Sequence, residues 1–335
     1  MMMVRMTLVA LLITAAGCAR AQVSGDDETV RDSTVGADPI RSFGPGSGKR
    51  HGSLEFVGGL ELWSRDSAFG GISALRMLAD GYRFVGVKDT AHWFTGRFAR
   101  DAAGRLSGVA EFKIAAMRDT KGRIIKERWD ADAEGLVLRG DEALVSFERV
   151  HRIERFRLKD VPGATPVGRI KHLIPDHEFR NNRGMEALAI APPGTPLDGA
   201  MVVVSERSLD KKGDIFAAIL DGPKRGVFFV KRHPPFDATD GDFLPNGDLL
   251  LLERRFSVAR GVGMRIRRIA GDDIAAGRTV DGEVLIDVDF SYRIDNMESL
   301  DVFTAPDGST RLLLASDDNQ SFLQDPLVLE FKLVE

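Results

Sequence analysis

Asp242-Phe243-Leu244-Pro245-Asn246-Gly247-Asp248-Leu249-Leu250-Leu251-Leu252-Glu253-Arg254 packs an acidic start, a turn, an apolar strand and a charged end into one short stretch. Pro-Asn-Gly-Asp is turn chemistry, and a leucine run bounded by a turn reads as a buried strand. The same plan recurs along the chain. Glu134-Gly135-Leu136-Val137-Leu138 leads to Ala143-Leu144-Val145-Ser146-Phe147-Glu148-Arg149, and Glu186-Ala187-Leu188-Ala189-Ile190 to Met201-Val202-Val203-Val204-Ser205-Glu206-Arg207. Glu298-Ser299-Leu300-Asp301-Val302 leads to Leu312-Leu313-Leu314-Ala315-Ser316-Asp317-Asp318-Asn319. A diverged copy joins Gly71-Ile72-Ser73-Ala74-Leu75 to Tyr82-Arg83-Phe84-Val85-Gly86-Val87-Lys88-Asp89.

The unit starts at Ser73, Glu134, Glu186, Asp242 and Glu298 lie 61, 52, 56 and 56 residues apart. This is a little longer than the ~40–50 residues of the commoner propeller blades. Each unit adds two more strand-like runs, such as residues 214–220 with 226–231, so four short strands make a blade. The last unit ends with residues 327–333 and lacks an outer strand, which residues 54–62 can supply. Such a closure joins the two ends of the domain and covers exposed sheet edges. The expectation is an all-β propeller of about five four-stranded blades, closed by pairing N- and C-terminal strands. A sixth blade would have to come from residues 91–117 or from the N-terminal segment. No stretch carries the 3.6-residue periodicity of a helical solenoid. Trp63, Trp93 and Trp129 are expected to pack between blades.

The chain has 335 residues, 43% hydrophobic and 29% charged, ordinary values for a soluble globular protein. Its formal charge of −4 and the lack of a basic stripe exclude nucleic acid as the expected partner. Residues 1–21 read as an export signal, with Arg5 before the apolar Leu8-Val9-Ala10-Leu11-Leu12-Ile13. Two cleavage patterns compete there. Ala19-Arg20-Ala21 before Gln22 suits ordinary processing, whereas Ala15-Ala16-Gly17-Cys18 resembles a lipobox and makes Cys18 a lipidation candidate. Either route predicts an exported protein, periplasmic or held at the envelope membrane through lipidated Cys18. With Cys18 the only cysteine, no disulfide framework exists. Residues 22–50 read as a polar tether and 51–335 as the propeller domain, expected as a monomer.

Equivalent residues of successive blades face one another around a propeller axis. Glu134, Glu186, Asp242 and Glu298, with Ser73 as the neutral member, are therefore expected to form one ring. Asp89, Glu148, Glu206, Glu253 and Asp317 form a second, with Arg149, Arg207 and Arg254 beside three of them. Converging carboxylates require protons, arginines or a metal. Oxygen ligands without cysteine suit Ca²⁺ or Mg²⁺. The candidate metal ligands are Glu134, Glu186, Asp242, Asn296, Glu298, Asp317, Asp318 and Asn319, and Asn182 could add a further oxygen. The Glu-Arg pairs read equally as cross-links between blades. A Ser73 nucleophile is disfavoured, since no Gly-x-Ser-x-Gly elbow or partner histidine accompanies it. His172 and His177, near Asp176 and Glu178, read as surface histidines rather than a zinc site.

These motifs resemble the phytase-like family of exported bacterial propellers, described as having esterase-like activity of the phytase type. The resemblance runs from Gly58 to Leu333. It rests on Gly70-Gly71-Ile72-Ser73, Asp132-Ala133-Glu134-Gly135, Phe147-Glu148-Arg149, Asn182-Arg183-Gly184-Met185-Glu186, Asp240-Gly241-Asp242-Phe243, Asn296-Met297-Glu298 and Ser316-Asp317-Asp318-Asn319. Ala74, Ser299 and Gln320 depart from the family's glycine, glycine and aromatic. One reading is a Ca²⁺-dependent hydrolase of phosphoric or carboxylic esters acting on a small anionic or ester substrate. In it Glu186 or Glu298 serves as general base, and Lys88, Arg149, Arg207 and Arg254 hold the substrate. Two alternatives remain at this point: a non-catalytic envelope protein that binds a ligand or partner, and a gluconolactonase-like lactonase with one divalent ion in the channel.

Overall fold

The strands Leu249–Ser257 and Thr310–Asp317 carry unbroken apolar runs, Leu249 to Leu252 and Leu312 to Ala315, because both faces of these runs are covered by neighbouring sheets. The computed structural model describes residues 30–46, 48–179, 184–257, 261–321 and 323–334. The stretch read as an export signal, with Cys18, and Asn182 lie outside the described residues.

Five antiparallel four-stranded blades follow one another. Blade 1 is built from Ile72–Met77, Arg83–Lys88, His92–Arg100 and Leu106–Ala116, and blade 2 from Ala133–Arg139, Glu142–Phe147, Arg152–Arg157 and Gly168–Ile170. Met185–Ile190, Met201–Leu209, Ile215–Ile219 and Gly226–Val230 form blade 3. Asp237–Phe243, Leu249–Ser257, Gly261–Ile269 and Glu283–Asp289 form blade 4. Asn296–Thr304, Thr310–Asp317 and Leu327–Leu333 make the inner part of blade 5, and Leu54–Ser64 is its fourth strand, with Leu60 opposite Val328. The closure expected from the sequence is thus present. Residues 91–117, where a sixth blade was sought, are the two outer strands of blade 1.

Part of the expected tether is joined to the sheets. Arg31–Asp32 pairs with Leu106–Ala116, and Val35–Ile40 pairs with Leu54–Ser64. Two apolar residues anchor this otherwise polar stretch: Ile40 is buried, and the Phe43 ring lies 4.9 Å from that of Phe331. The burial of those side chains contributes roughly 1.5–3 kcal/mol each.

One apolar cluster fills each gap between neighbouring blades. Trp93 is completely buried between blades 1 and 2, edge-on to Phe156 at 5.0 Å, as expected. Trp63 and Trp129 depart from the expectation, being 52% and 60% exposed. Trp63 lies on an outer strand, where its indole N–H donates to Asp38 at 3.1 Å, and Trp129 sits in the four-residue helix Arg128–Ala131. Trp93→Ala is expected to lower unfolding stability by about 3–5 kcal/mol, and Trp63→Ala by less than about 1 kcal/mol. Urea midpoints of the two variants, read at equal m-value, check this contrast.

Candidate functional site

Every innermost strand contains a register shift near its start, where one extra residue bulges from the ladder. The shifts fall at Ser73, at Glu134-Gly135, at Glu186, at Thr239 and at Glu298. A bulge re-aims the side chain it carries. Ser73, Glu134, Glu186 and Glu298 line a common cavity at one end of the channel. Blade 4 contributes Thr239 to this tier, and its hydroxyl donates to the Met297 carbonyl at 3.0 Å. Asp242, expected in the ring, stands three residues further down its strand. The tight Phe243–Leu249 hairpin had suggested that the strand begins at Asp242, when it begins at Asp237.

The second strands supply an upper tier of Asp89, Glu148, Glu206, Arg254 and Asp317. Their register makes Arg254, and not Glu253, the blade-4 counterpart of Glu206: Ser205 pairs with Met185 as Glu253 pairs with Ala238. A slip of one residue reverses the face of a strand. Glu253 is accordingly buried away from the cavity, accepting from Arg265 at 2.7 Å and Arg267 at 2.6 Å. Arg254 reaches Glu298 at 3.0 Å and Glu206 at 3.7 Å and so links blades 3 and 5 across its own. The connecting loops add Asp132, Arg149 and Asn319.

Eight carboxylates (Asp89, Asp132, Glu134, Glu148, Glu186, Glu206, Glu298 and Asp317) thus share a cavity of about 250 Å³ in which Arg149 and Arg254 are the only cations among the described residues. Burial first, then repulsion from neighbouring acids, pushes Glu134 and Glu186 well above the usual carboxylate range. Asp317 is pushed up to about 8 by burial and by Asp89 and Glu298, and burial raises Asp89 to about 6. Glu186 and Glu148 are hydrogen-bonded to each other. Two carboxyl groups in such contact share a proton, and their titration belongs to the pair. Glu148 also accepts the Gly184 N–H.

Oxygens of Asp132, Glu134 and Glu148 all lie within 4.8 Å of one another, a separation that one cation ligated at about 2.3–2.6 Å can span. One buried Asp89 oxygen has no hydrogen-bond donor. The donor set is oxygen only, which fits a hard divalent ion. Asp132 was missed in the sequence, although Asp132-Ala133-Glu134 places two acids two residues apart just before a strand. Beside the cavity, Gly70 and Gly71 adopt φ of +92° and +68°, and a Cβ on them would lie 2.6 Å and 2.7 Å from Asp318 and Asp89 oxygens. Only glycine admits both constraints.

Other candidates serve different ends. Asn319 lines the cavity, whereas Asn296 stands behind it, donating to Glu298 at 2.8 Å and accepting from Arg254. Asp318 accepts the Gly71 N–H at 2.8 Å and shapes the loop. Lys88 does not line the cavity: its position matches Glu253 rather than Arg254, and its ammonium donates to the Ala68 carbonyl. Arg207 turns out to Asp237 at 3.2 Å. His172 lies 3.3 Å from Asp176, and His177 is exposed; neither lines the cavity.

Beneath the two tiers lies a third. Arg76 binds Asp240 through both terminal nitrogens, at 2.8 and 2.9 Å, with Asp301 at 3.9 Å. Asp242 belongs here, accepting the Val302 N–H at 2.8 Å, while Asp301 accepts that of Met77 at 2.8 Å. Burial lifts Asp242 to about 6; burial and then Asp242 lift Asp301 to about 7. Unfolded aspartates titrate near about 4, so between there and about 7 the folded chain holds more protons. The stabilisation is therefore complete below about pH 4 and is lost as pH rises through about 7. Asp301→Asn keeps an acceptor for Met77 and is expected to flatten that decline, as urea midpoints across the interval would show; an unaltered slope would contradict the assignment.

A family model described as phytase-like, "esterase-like activity of phytase", matches residues 67–320. No curated protein matches the chain. Among solved structures, a Thermus thermophilus protein titled an oxidoreductase (glucose dehydrogenase) aligns at 13% identity over 79% of this chain and 98% of that one, with a TM-score of 0.37. The family match covers well over half of the sequence, beginning just before Gly70 and ending just past Asn319, so that it contains every cavity-lining residue. By that match the chain belongs to the phytase-like family.

Proposed function

We propose that this protein is an exported hydrolase of phosphoric or carboxylic esters that depends on a divalent cation, Ca²⁺ being the ion its oxygens suit best. One observation carries the reading: eight carboxylates, four of them buried and four half-buried, converge on a small cavity whose cations among the described residues are two arginines. Such a site is stable only with protons or a cation in it. Strongly perturbed acids in a concave site are also a mark of catalytic function. The family description supports ester chemistry.

Asp132, Glu134 and Glu148 would hold the ion, with Asp317 and Asn319 at its margin. A bound divalent ion supplies Lewis-acid polarisation of an ester oxygen. Glu186, raised well above the usual carboxylate range by burial and by neighbouring acids and in contact with Glu148, would be placed to protonate a leaving alkoxide. Glu298, held by Arg254 and by the Asn296 amide, is the carboxylate positioned to accept a proton from water. Arg149 and Arg254 stand at the cavity wall to meet an anionic group. The span of Arg254 from Glu206 to Glu298 favours a second reading, a non-catalytic envelope propeller whose charges tie its blades together.

A thermal-shift titration of EDTA-stripped protein with Ca²⁺, Mg²⁺, Mn²⁺ and Zn²⁺, beside a panel of phosphate esters, carboxylic esters and lactones, separates the two. The hydrolase reading expects a Ca²⁺-induced rise in Tm that Glu134→Gln abolishes, and ester turnover that EDTA stops. Glu186→Gln should lower kcat by roughly 10²-fold or more with the Ca²⁺ shift retained. No shift with any ion and no turnover would leave the charge network as scaffolding, while turnover of lactones alone would make the protein a lactonase.

A further inference from the structure

Arg149 is in contact with two partners of different kinds. Its Nε binds Asp132, and its guanidinium carbon lies 5.4 Å from the centre of the Trp129 ring. Its backbone is left-handed, with φ of +55°, although it bears a Cβ. For such a residue the left-handed region costs roughly 1–2 kcal/mol. The guanidinium thereby lines the cavity. Asp132 is at the same time one of the three acids whose oxygens lie within 4.8 Å of one another. A cation entering that group requires the carboxylate that Arg149 occupies. Trp129, 60% exposed, stands behind the guanidinium and offers it a second favourable surface.

We propose that Arg149 is a built-in counter-ion which a divalent cation displaces from Asp132, and that the displaced guanidinium, resting on Trp129, then takes the anionic group of the ligand. The inference rests on the cation-site reading above and adds to it an order of events within the site. Two positive charges on one carboxylate repel, so Arg149 weakens cation binding when no anion is present. An anion that pairs with the released guanidinium reverses this effect. Cation and anion then promote each other's binding by the same factor. A purely structural Arg149–Asp132 pair gives neither the competition nor the cooperation.

Calorimetric titration of the EDTA-stripped chain with Ca²⁺, with and without sulfate, tests the proposal alongside tryptophan emission. Sulfate is expected to tighten Ca²⁺ binding by roughly fivefold or more in the wild type. Arg149→Gln should bind Ca²⁺ alone more tightly, by about tenfold (about 1.4 kcal/mol), and lose the sulfate effect. Ca²⁺ should also change the emission of the wild type but not of Trp129→Phe. Ca²⁺ affinity unaltered or weakened in Arg149→Gln, or an equal sulfate effect in both proteins, would overturn the inference and leave the cation site standing. If Arg149→Gln does not fold, wild-type Ca²⁺ heat without a Trp129-dependent emission change has the same force. Absence of Ca²⁺ heat would overturn the cation site and this inference together.

Discussion

The structure depends on how five inner strands satisfy the edge they turn toward the axis. An inner strand pairs on one side only, and its free N–H groups are shut away from water where the blades meet. Blades 4 and 5 answer this with side chains. Asp240 accepts the N–H of Leu300 and Asp242 that of Val302; Ser299 accepts that of Leu75 and Asp301 that of Met77, all at 2.8 Å. Each bond crosses from one blade to the next and fixes their relative height. Two buried aspartates and the half-buried Asp242 are the consequence, and Arg76, reaching across from blade 1 to Asp240 of blade 4, offsets part of their charge. Between blades 2 and 3 the solution differs. Gly135 lies so close to blade 3 that a Cβ there would fall 2.4 Å from the Glu186 carbonyl, and small residues replace acidic ones.

The same geometry explains which parts of the molecule the sequence disclosed. Apolar runs at intervals of 52–61 residues reported the blades, since burial on both faces leaves a composition signal that survives divergence. The closing strand was legible because the last unit was one strand short. Register was harder. Glu148-Arg149, Glu206-Arg207 and Glu253-Arg254 look alike in sequence, yet the last is displaced by one residue and therefore shows its arginine where the others show an acid. Asp242 was misplaced for a related reason: bulges do not announce themselves in an alternating pattern, and the acid at the expected strand start proved to be a lower member of the channel. Trp63 and Trp129 carried no pattern that distinguishes an interblade anchor from a surface ring.

Departures from the repeat, rather than the repeat itself, create the asymmetry that chemistry needs. Five equivalent acids would give a ring of equal fields with no preferred position for a cation or substrate. Blade 4 breaks that equality by presenting Thr239 and Arg254, and blade 1 presents Ser73. Arg254 meets the acids of blades 3 and 5 on its side of the cavity. The close group of oxygens is then left to blade 2, where the loop before the inner strand contributes Asp132 to join Glu134 and Glu148. Arg149 is the only cation lining that side of the cavity among the described residues, and Asp132 is the acid it holds. The blades thus fix where charge is buried, while a few substitutions and one loop decide where it stays uncompensated. A carboxylate group so placed has high energy when empty of protons and cations alike, and that excess is what a ligand of opposite charge would release on binding.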